Sequence, residues 1–194
     1  MLLHWVIAVL VLSTIPIGWY GASSTPAPPS AAQVQRNPGA PPASPPPKSA
    51  AQQTATNLHK TIGICILFLT VLRVGWRLTH RPPALPESMA RALRWLAKTS
   101  HALFYFLLIV MPLTGWWTSS AIPDPKRHPF GFGFFDIPFL PVPRGWASAM
   151  PAKFLHTGLA LLMVGLAVLH ILAALKHHFV DKDDVLKRML PRRP

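Results

Sequence analysis

The chain has 194 residues, of which 51% are hydrophobic and 23 are proline, and it carries a formal net charge of +13. With a mean hydropathy of +0.33, this excludes an ordinary soluble domain and indicates a small polytopic membrane protein. The single cysteine, Cys65, excludes an intramolecular disulfide and a thiolate metal cluster. A pI near 11.2 would suit nucleic acid, but the basic residues gather at the ends of apolar runs, which the positive-inside rule explains without any nucleic-acid partner.

The first apolar run, Leu2 to Tyr20, is long enough to cross a bilayer and carries His4 followed by Trp5. A signal peptide is the alternative, because Gly21, Ala22, Ser23 and Ser24 imitate a cleavage site; against it, no Lys or Arg precedes the apolar core. From Gly21 to Asn57 runs a Pro/Ala/Ser stretch with nine prolines. It cannot form a core and reads as an extended extracytoplasmic loop inserted into a single membrane domain of residues 1–194, either a flexible insert or a tether for a partner.

The second run, Leu58 to Leu78, opens with His59. Gly63 lies one turn on and leaves room on the same face. Arg73 lies fourteen residues on, deep in the run, where a guanidinium needs a carboxylate, a phosphate or an aqueous cavity. None of the four apolar runs contains an acidic residue, so a haem propionate suits Arg73; snorkelling to the interface is the alternative. The third run, His101 to Ser119, contains Pro112, a kink site. His101 reads as a hydrogen-bond partner of a propionate or of nearby backbone, with a spare ligand as the alternative. His80 and His128 fall in loops and read as solvated.

The fourth run, Phe154 to His178, holds His156 and His170 fourteen residues apart. That is close to four turns, so both rings project from one face, roughly 21 Å apart along the axis. In a bilayer core about 30 Å thick they lie near opposite surfaces. Ala160, Met163, Ala167, Ala174 and His177 continue the stripe. Its alanines let a flat macrocycle approach, although small residues also serve plain helix packing. His177 and His178 end the run near the interface, and His177 reads as solvated or as a quinone or propionate contact.

Antiparallel threading of four helices decides which histidines meet. The second and fourth runs start on the same side, so His59 and His156 share one level; the first starts where the fourth ends, so His4 and His170 share the other. Zinc wants three or four ligands at one level. Two opposed imidazoles per level suit the iron of a low-spin b-type haem. Of the 19 Lys and Arg residues, twelve lie in the Arg73–Lys98 connection and the C-terminal tail, which places both termini in the cytoplasm.

The stretches Leu3-His4-Trp5, Leu58-His59-Lys60-Thr61-Ile62-Gly63 through Arg73 to Trp76-Arg77, and His101 through Tyr105 to Pro112 and Gly115 carry a resemblance. So do His156, Leu169-His170, Ala173-Ala174, His177-His178-Phe179 and the tail Asp183-Asp184-Val185-Leu186-Lys187-Arg188-Met189-Leu190-Pro191. Together they resemble the bacterial cytochrome b561 family, and the likeness covers nearly everything but the Pro-rich stretch. It implies an all-α, integral-membrane four-helix bundle of the bacterial inner membrane with two haem b groups, one on His4 and His170 and one on His59 and His156.

The resemblance also implies electron exchange with membrane quinone, ubiquinone among them, and in some members oxidation of superoxide. A small anionic donor or a soluble redox partner is expected beside membrane lipid. A haem-bearing anchor for a partner dehydrogenase or hydrogenase, and a haem-free structural or transport protein, are the alternatives. Two features depart from the family: only three residues precede His4, and the Pro-rich stretch is long. The first leads to the expectation that the natural start lies upstream or that the His4–His170 centre is weakened.

Overall fold

A computed structural model describes residues 1–23, 48–80, 91–123, 130–131, 135–184 and 186–189. Four long helices dominate it: α1 (Leu2–Ala22), α2 (Ala50–Thr79), α3 (Arg91–Ala121) and α4 (Trp146–Phe179). All four are long and apolar enough to cross a membrane. The last three have 30, 31 and 34 residues, about 45–50 Å at the α-helical rise, so they project well beyond a hydrocarbon core of about 30 Å.

Each of these three helices begins well before its apolar run. α2 starts at Ala50 because Ser49 and Gln52 form a reciprocal capping box: Gln52 N donates to Ser49 Oγ at 3.2 Å and Ser49 N to Gln52 Oε1 at 3.0 Å. The end of the stretch expected as loop is therefore helix, and Gly21–Ala22 belong to α1. Residues 24–47 of that stretch, with His128, lie outside the described residues. Pro16, Pro112 and Pro151 sit inside helices that continue past them.

α1 packs on α2, α2 on α3 and α3 on α4. Among the described residues, no Cα of α4 comes within 8 Å of one in α1 or α2. Only side chains cross that gap, so α4 faces α1 and α2 at a distance that leaves room between them. At mid-height the gap is filled by an apolar layer of Ile7 and Val11 from α1, Ile66 from α2, Leu107, Leu108 and Met111 from α3, and Met163 from α4. Leu161, Val168 and Leu172 of α4 point outward, as lipid-facing residues do. Between membrane helices such layers act through close packing rather than exclusion of water, because lipid is as apolar as leucine. α1 supplies part of this core through Ile7 and Val11.

A two-stranded ribbon, β1 (Phe130–Gly131) and β2 (Asp136–Ile137), pairs antiparallel across one end of the bundle. Thr61 Oγ1 donates to the Gly131 carbonyl at 3.1 Å, Trp116 Nε1 to the Pro138 carbonyl at 2.9 Å and Leu140 N to Ser120 Oγ at 2.9 Å. These bonds fasten the segment to α2 and α3. The opposite end is crossed by the tail: Trp5 Nε1 donates to the Met189 carbonyl at 2.8 Å, next to the helical turn Lys187–Met189.

Candidate haem sites

One sevenfold stripe on each of α1, α2 and α4 lines the gap. On α1 it runs His4, Ile7, Val11, Thr14, Gly18; on α2 His59, Gly63, Ile66, Thr70, Arg73; on α4 His156, Ala160, Met163, Ala167, His170. Every one of these residues is buried or half-buried, as the alternation of three and four along one helix face requires. The histidines fall at the stripes' ends and so gather at two levels.

At the ribbon end, the His59 and His156 rings stand 6.0 Å apart, centroid to centroid, with planes at 82°. Two imidazoles that ligate one metal from opposite sides, with metal–nitrogen bonds of about 2 Å, stand about 6 Å apart. His59 Nδ1 lies 3.0 Å from the Thr14 carbonyl oxygen and 3.3 Å from Thr14 Oγ1. His156 Nδ1 lies 2.9 Å from the Met111 carbonyl oxygen and 3.3 Å from Thr114 Oγ1. A carbonyl only accepts, so each Nδ1 carries the ring proton and each Nε2 keeps its lone pair. Metal-ligating histidines are oriented in this way.

Each ring also rests on a glycine of the helix beside it. A Cβ on Gly18 would collide with the His59 ring, and one on Gly115 would come within 3.0 Å of His156. Gly63 keeps open space around it, as expected of a position that leaves room for a cofactor. Sequence reasoning assigned no role to Gly18, Thr14 or Thr114, and none to Gly115 beyond its place in the family likeness. The signal available was glycine in an apolar run close to an internal proline, Pro16 and Pro112.

At the tail end, His4 and His170 stand 6.5 Å apart at 73°. Here the surroundings differ. Arg73 Nη1 lies 3.2 Å from His4 Nδ1; a guanidinium only donates, so this nitrogen accepts. His101 stands 5.7 Å from His170 at 78°, and Phe104 packs 5.2 Å from the same ring. Arg73 and Arg77 both lie over the Tyr105 ring, 5.6 and 5.5 Å from its centre. Among the described residues no carboxylate pairs with Arg73.

His177 is engaged by the tail: its Nδ1 lies 2.6 Å from Asp183 Oδ2 and 3.3 Å from Asp181 Oδ2. Lys176 also pairs with Asp181, at 2.7 Å. His80 is exposed and stacks on Trp76 at 3.8 Å. Near the ribbon end, Lys48 Nζ donates to the Gly21 carbonyl and to Thr56 Oγ1, both at 2.7 Å, and so ties the end of α1 to the start of α2. Burial and the nearby Lys153 ammonium hold the Lys48 amine below its ordinary value of 10.5.

Residues 1–192 match the family described as prokaryotic cytochrome b561. The chain belongs to that family. It is 42% identical over 136 residues to cytochrome b561 homolog 2 of Escherichia coli (strain K12), which covers 70% of each chain. It is 28% identical over 145 residues to the probable superoxide oxidase CybB of Yersinia pestis, covering 70% of this chain and 74% of that one. To cytochrome b561 homolog 1 of Escherichia coli (strain K12) it is 27% identical over 136 residues, 70% of this chain and 74% of that one.

As a cytochrome b561 family protein it is a four-helix bacterial membrane protein of electron transfer, and the family implies haem b. The residues present fit that group. The His59 and His156 rings stand about the span apart that two imidazoles on one metal need, with each Nδ1 turned back to a carbonyl, glycines seat these rings, and α4 stands away from α1 and α2. In addition, the Thr70 hydroxyl on the α2 stripe is fully buried with no partner. A buried orphan hydroxyl is rare unless water or a bound group satisfies it.

Proposed function

We propose that the protein is a di-haem b electron-transfer cytochrome of the bacterial inner membrane that exchanges electrons with the quinone pool, ubiquinone in particular. His59 with His156 would hold one haem and His4 with His170 the other. The observation that carries this reading is the His59–His156 pair, 6.0 Å apart with both Nδ1 atoms turned back to backbone carbonyls. When bound, haem supplies one-electron iron redox chemistry, tuned by its axial ligands and by nearby charge.

The chain's own residues do the rest. Thr14 and Met111 hold the proton on Nδ1, Gly18 and Gly115 set the ring positions, and Arg73 supplies positive charge for a propionate at the other level. His101 lies beside it for the same purpose. His177, close to the membrane surface, keeps one ring nitrogen for a quinone oxygen while Asp183 takes the other. Both termini face the cytoplasm in this reading, because the Lys- and Arg-rich segments lie at the tail end.

Redox titration of the purified protein tests it. Two b-type components are expected in the wild type, with His59→Ala and His170→Ala each removing a different one. Absence of a reduced-minus-oxidised b spectrum overturns the reading.

Superoxide is the donor favoured by the charge at the ribbon end, where Lys48, Lys60, Arg144 and Lys153 gather on or near α2 and α4. A cationic surface raises the encounter rate of a small anion. Two superoxide anions would each lose one electron to become dioxygen, and one quinone would take both electrons with two protons to become quinol. Neutralising Lys60 and Lys153 should lower the superoxide-dependent rate and flatten its salt dependence; an unchanged rate and salt dependence rule superoxide out.

A further inference from the structure

The chain has only six Asp and Glu residues against 19 Lys and Arg, yet three of the six fall within residues 181–184, just past α4. Two of them converge on one ring: His177 Nδ1 lies 2.6 Å from Asp183 Oδ2 and 3.3 Å from Asp181 Oδ2. The backbone turns back to make this meeting. Asp181 N donates to the Lys176 carbonyl at 3.0 Å and Asp183 N to the His177 carbonyl at 3.1 Å. Asp181 is shared with Lys176, whose ammonium reaches both its oxygens at 2.7 Å, so Asp183 makes the shorter contact with the ring and Asp181 the longer. An ionised carboxylate only accepts, so Nδ1 carries the ring proton. Among the described residues no hydrogen bond engages Nε2. His177 continues the α4 stripe of His156 and His170 that lines the gap. It stands about 10 Å beyond His170 along the axis, with the small Ala174 between them. The ring is mostly covered, at 19% exposure, whereas Asp181 and Asp183 keep 33% and 29% of their side chains open to solvent. Water therefore reaches the pair at the mouth of the gap.

We propose that the His177–Asp183 pair hands over the protons of quinone reduction, with His177 Nε2 as the donating atom and Asp183 as the residue that positions it. The inference rests on the quinone reading of His177 and adds to it the proton donor. Reduction of one quinone to quinol takes two electrons and two protons. The electrons arrive one at a time as the tail-end haem is oxidised twice. For each proton, the Nε2–H bond breaks and an O–H bond forms at a quinone oxygen, and solvent then returns a proton to Nε2. Asp183 keeps the other proton on Nδ1 throughout, so the ring presents Nε2 to the gap at every cycle. Its charge also offsets that of the doubly protonated ring, the task of the aspartate in a His–Asp pair. Electron delivery without a proton donor would leave charge on a quinone oxygen in apolar surroundings, which is costly.

Stopped-flow oxidation of the pre-reduced, purified protein by a short-chain ubiquinone tests this, followed at the haem absorbance. Ferricyanide is the comparison, because it takes an electron and no proton. Asp183→Asn should slow the quinone reaction roughly tenfold or more, the scale of a misplaced general acid. The ferricyanide reaction, the haem content and both midpoint potentials should stay as in the wild type, and the haem content reports correct folding. Asp183→Glu should restore most of the quinone rate. Deuterium oxide should slow the quinone reaction of the wild type and not its ferricyanide reaction. Asp184→Asn, one residue on and paired instead with Lys187 at 3.1 Å, should behave as the wild type. A wild-type quinone rate in Asp183→Asn overturns the proposal while leaving the quinone reading intact. So does equal slowing with both acceptors, a Glu variant as slow as the Asn one, or a quinone reaction indifferent to deuterium. A wild type that reduces ferricyanide but not quinone overturns the quinone reading and this proposal with it.

Discussion

At the ribbon end, two histidines hand their Nδ1 protons to carbonyls of the helices beside them and sit on glycines. At the tail end, one histidine receives a hydrogen bond from an arginine, a third histidine crowds in, and a tryptophan ties the helix start to the tail. The first arrangement is built from backbone acceptors, which cannot rotate away or titrate. The second is built from long side chains, which can. Pre-organisation of a ligand pair by fixed acceptors confers affinity, so the ribbon-end pair should bind haem the more tightly and the tail-end pair should be the more adjustable.

The largest effect should come from removing a fixed ligand. His156→Gly is expected to lower the haem content from two per chain to one, with the surviving haem keeping the tail-end potential. Among the described residues, only His59 stands opposite His156, with no ring placed as His101 is beside His170. A pyridine haemochrome assay that still counts two haems would show that the two ends are not distinct in this respect.

Next come the ring seats. Gly18→Ala should drive a methyl into the His59 ring and Gly115→Ala should press on His156. Overpacking of this kind costs about 1–3 kcal/mol, here read as a lower melting temperature and partial loss of the ribbon-end haem only. Gly165 of α4 has nothing near its Cβ position. Gly165→Ala should therefore be neutral or stabilising by up to about 1 kcal/mol, from helix propensity. Equal behaviour of the three alanine variants would remove the glycine seats from the argument.

The four helices were legible because apolar runs of this length have one solution in lipid. The histidine levels were legible because spacing by fourteen keeps residues on one face and antiparallel threading orders them. Helix ends were not, since Ala50–Asn57 is polar and its helicity depends on the Ser49–Gln52 cap rather than on hydropathy. The glycine and threonine contacts of the rings were hidden for another reason. Whether Gly18 meets His59 depends on the rotation of α1 against α2, which no periodicity within either helix specifies. The Arg73–His4 bond was missed because Arg73 was matched to a haem propionate or the interface rather than to a neighbouring imidazole.

A smaller, more selective effect is expected from Arg73→Gln. A nearby cation favours the less positive iron, so its removal should lower the tail-end potential by tens of millivolts, the scale of a single partly screened charge, and leave the ribbon-end potential in place. Loss of the arginine also frees His4 Nδ1 from its role as acceptor. If both potentials moved together, the charge would be acting on the bundle as a whole and not on one end.

The smallest effect concerns Lys48, which belongs to the ribbon end but does not touch its rings. Its ammonium donates to the Gly21 carbonyl and Thr56 Oγ1, yet burial and Lys153 depress its pKa below 10.5. Below the folded value both the folded and the unfolded chains carry this charge, so stability does not depend on pH through it there. As pH rises past the depressed folded value, the folded protein releases its proton first, while the unfolded lysine holds on until near 10.5. The unfolded state then binds more protons, and stability must rise with pH across that window and level off above it. Thermal unfolding of the wild type and Lys48→Met from pH 8 to pH 11 should therefore show a larger gain in the wild type than in the variant. Because Lys48 joins α1 to α2 at the His59 level, the gain should appear as a higher temperature for loss of the ribbon-end haem and not of its tail-end counterpart. A parallel rise in the variant would assign the slope to another group.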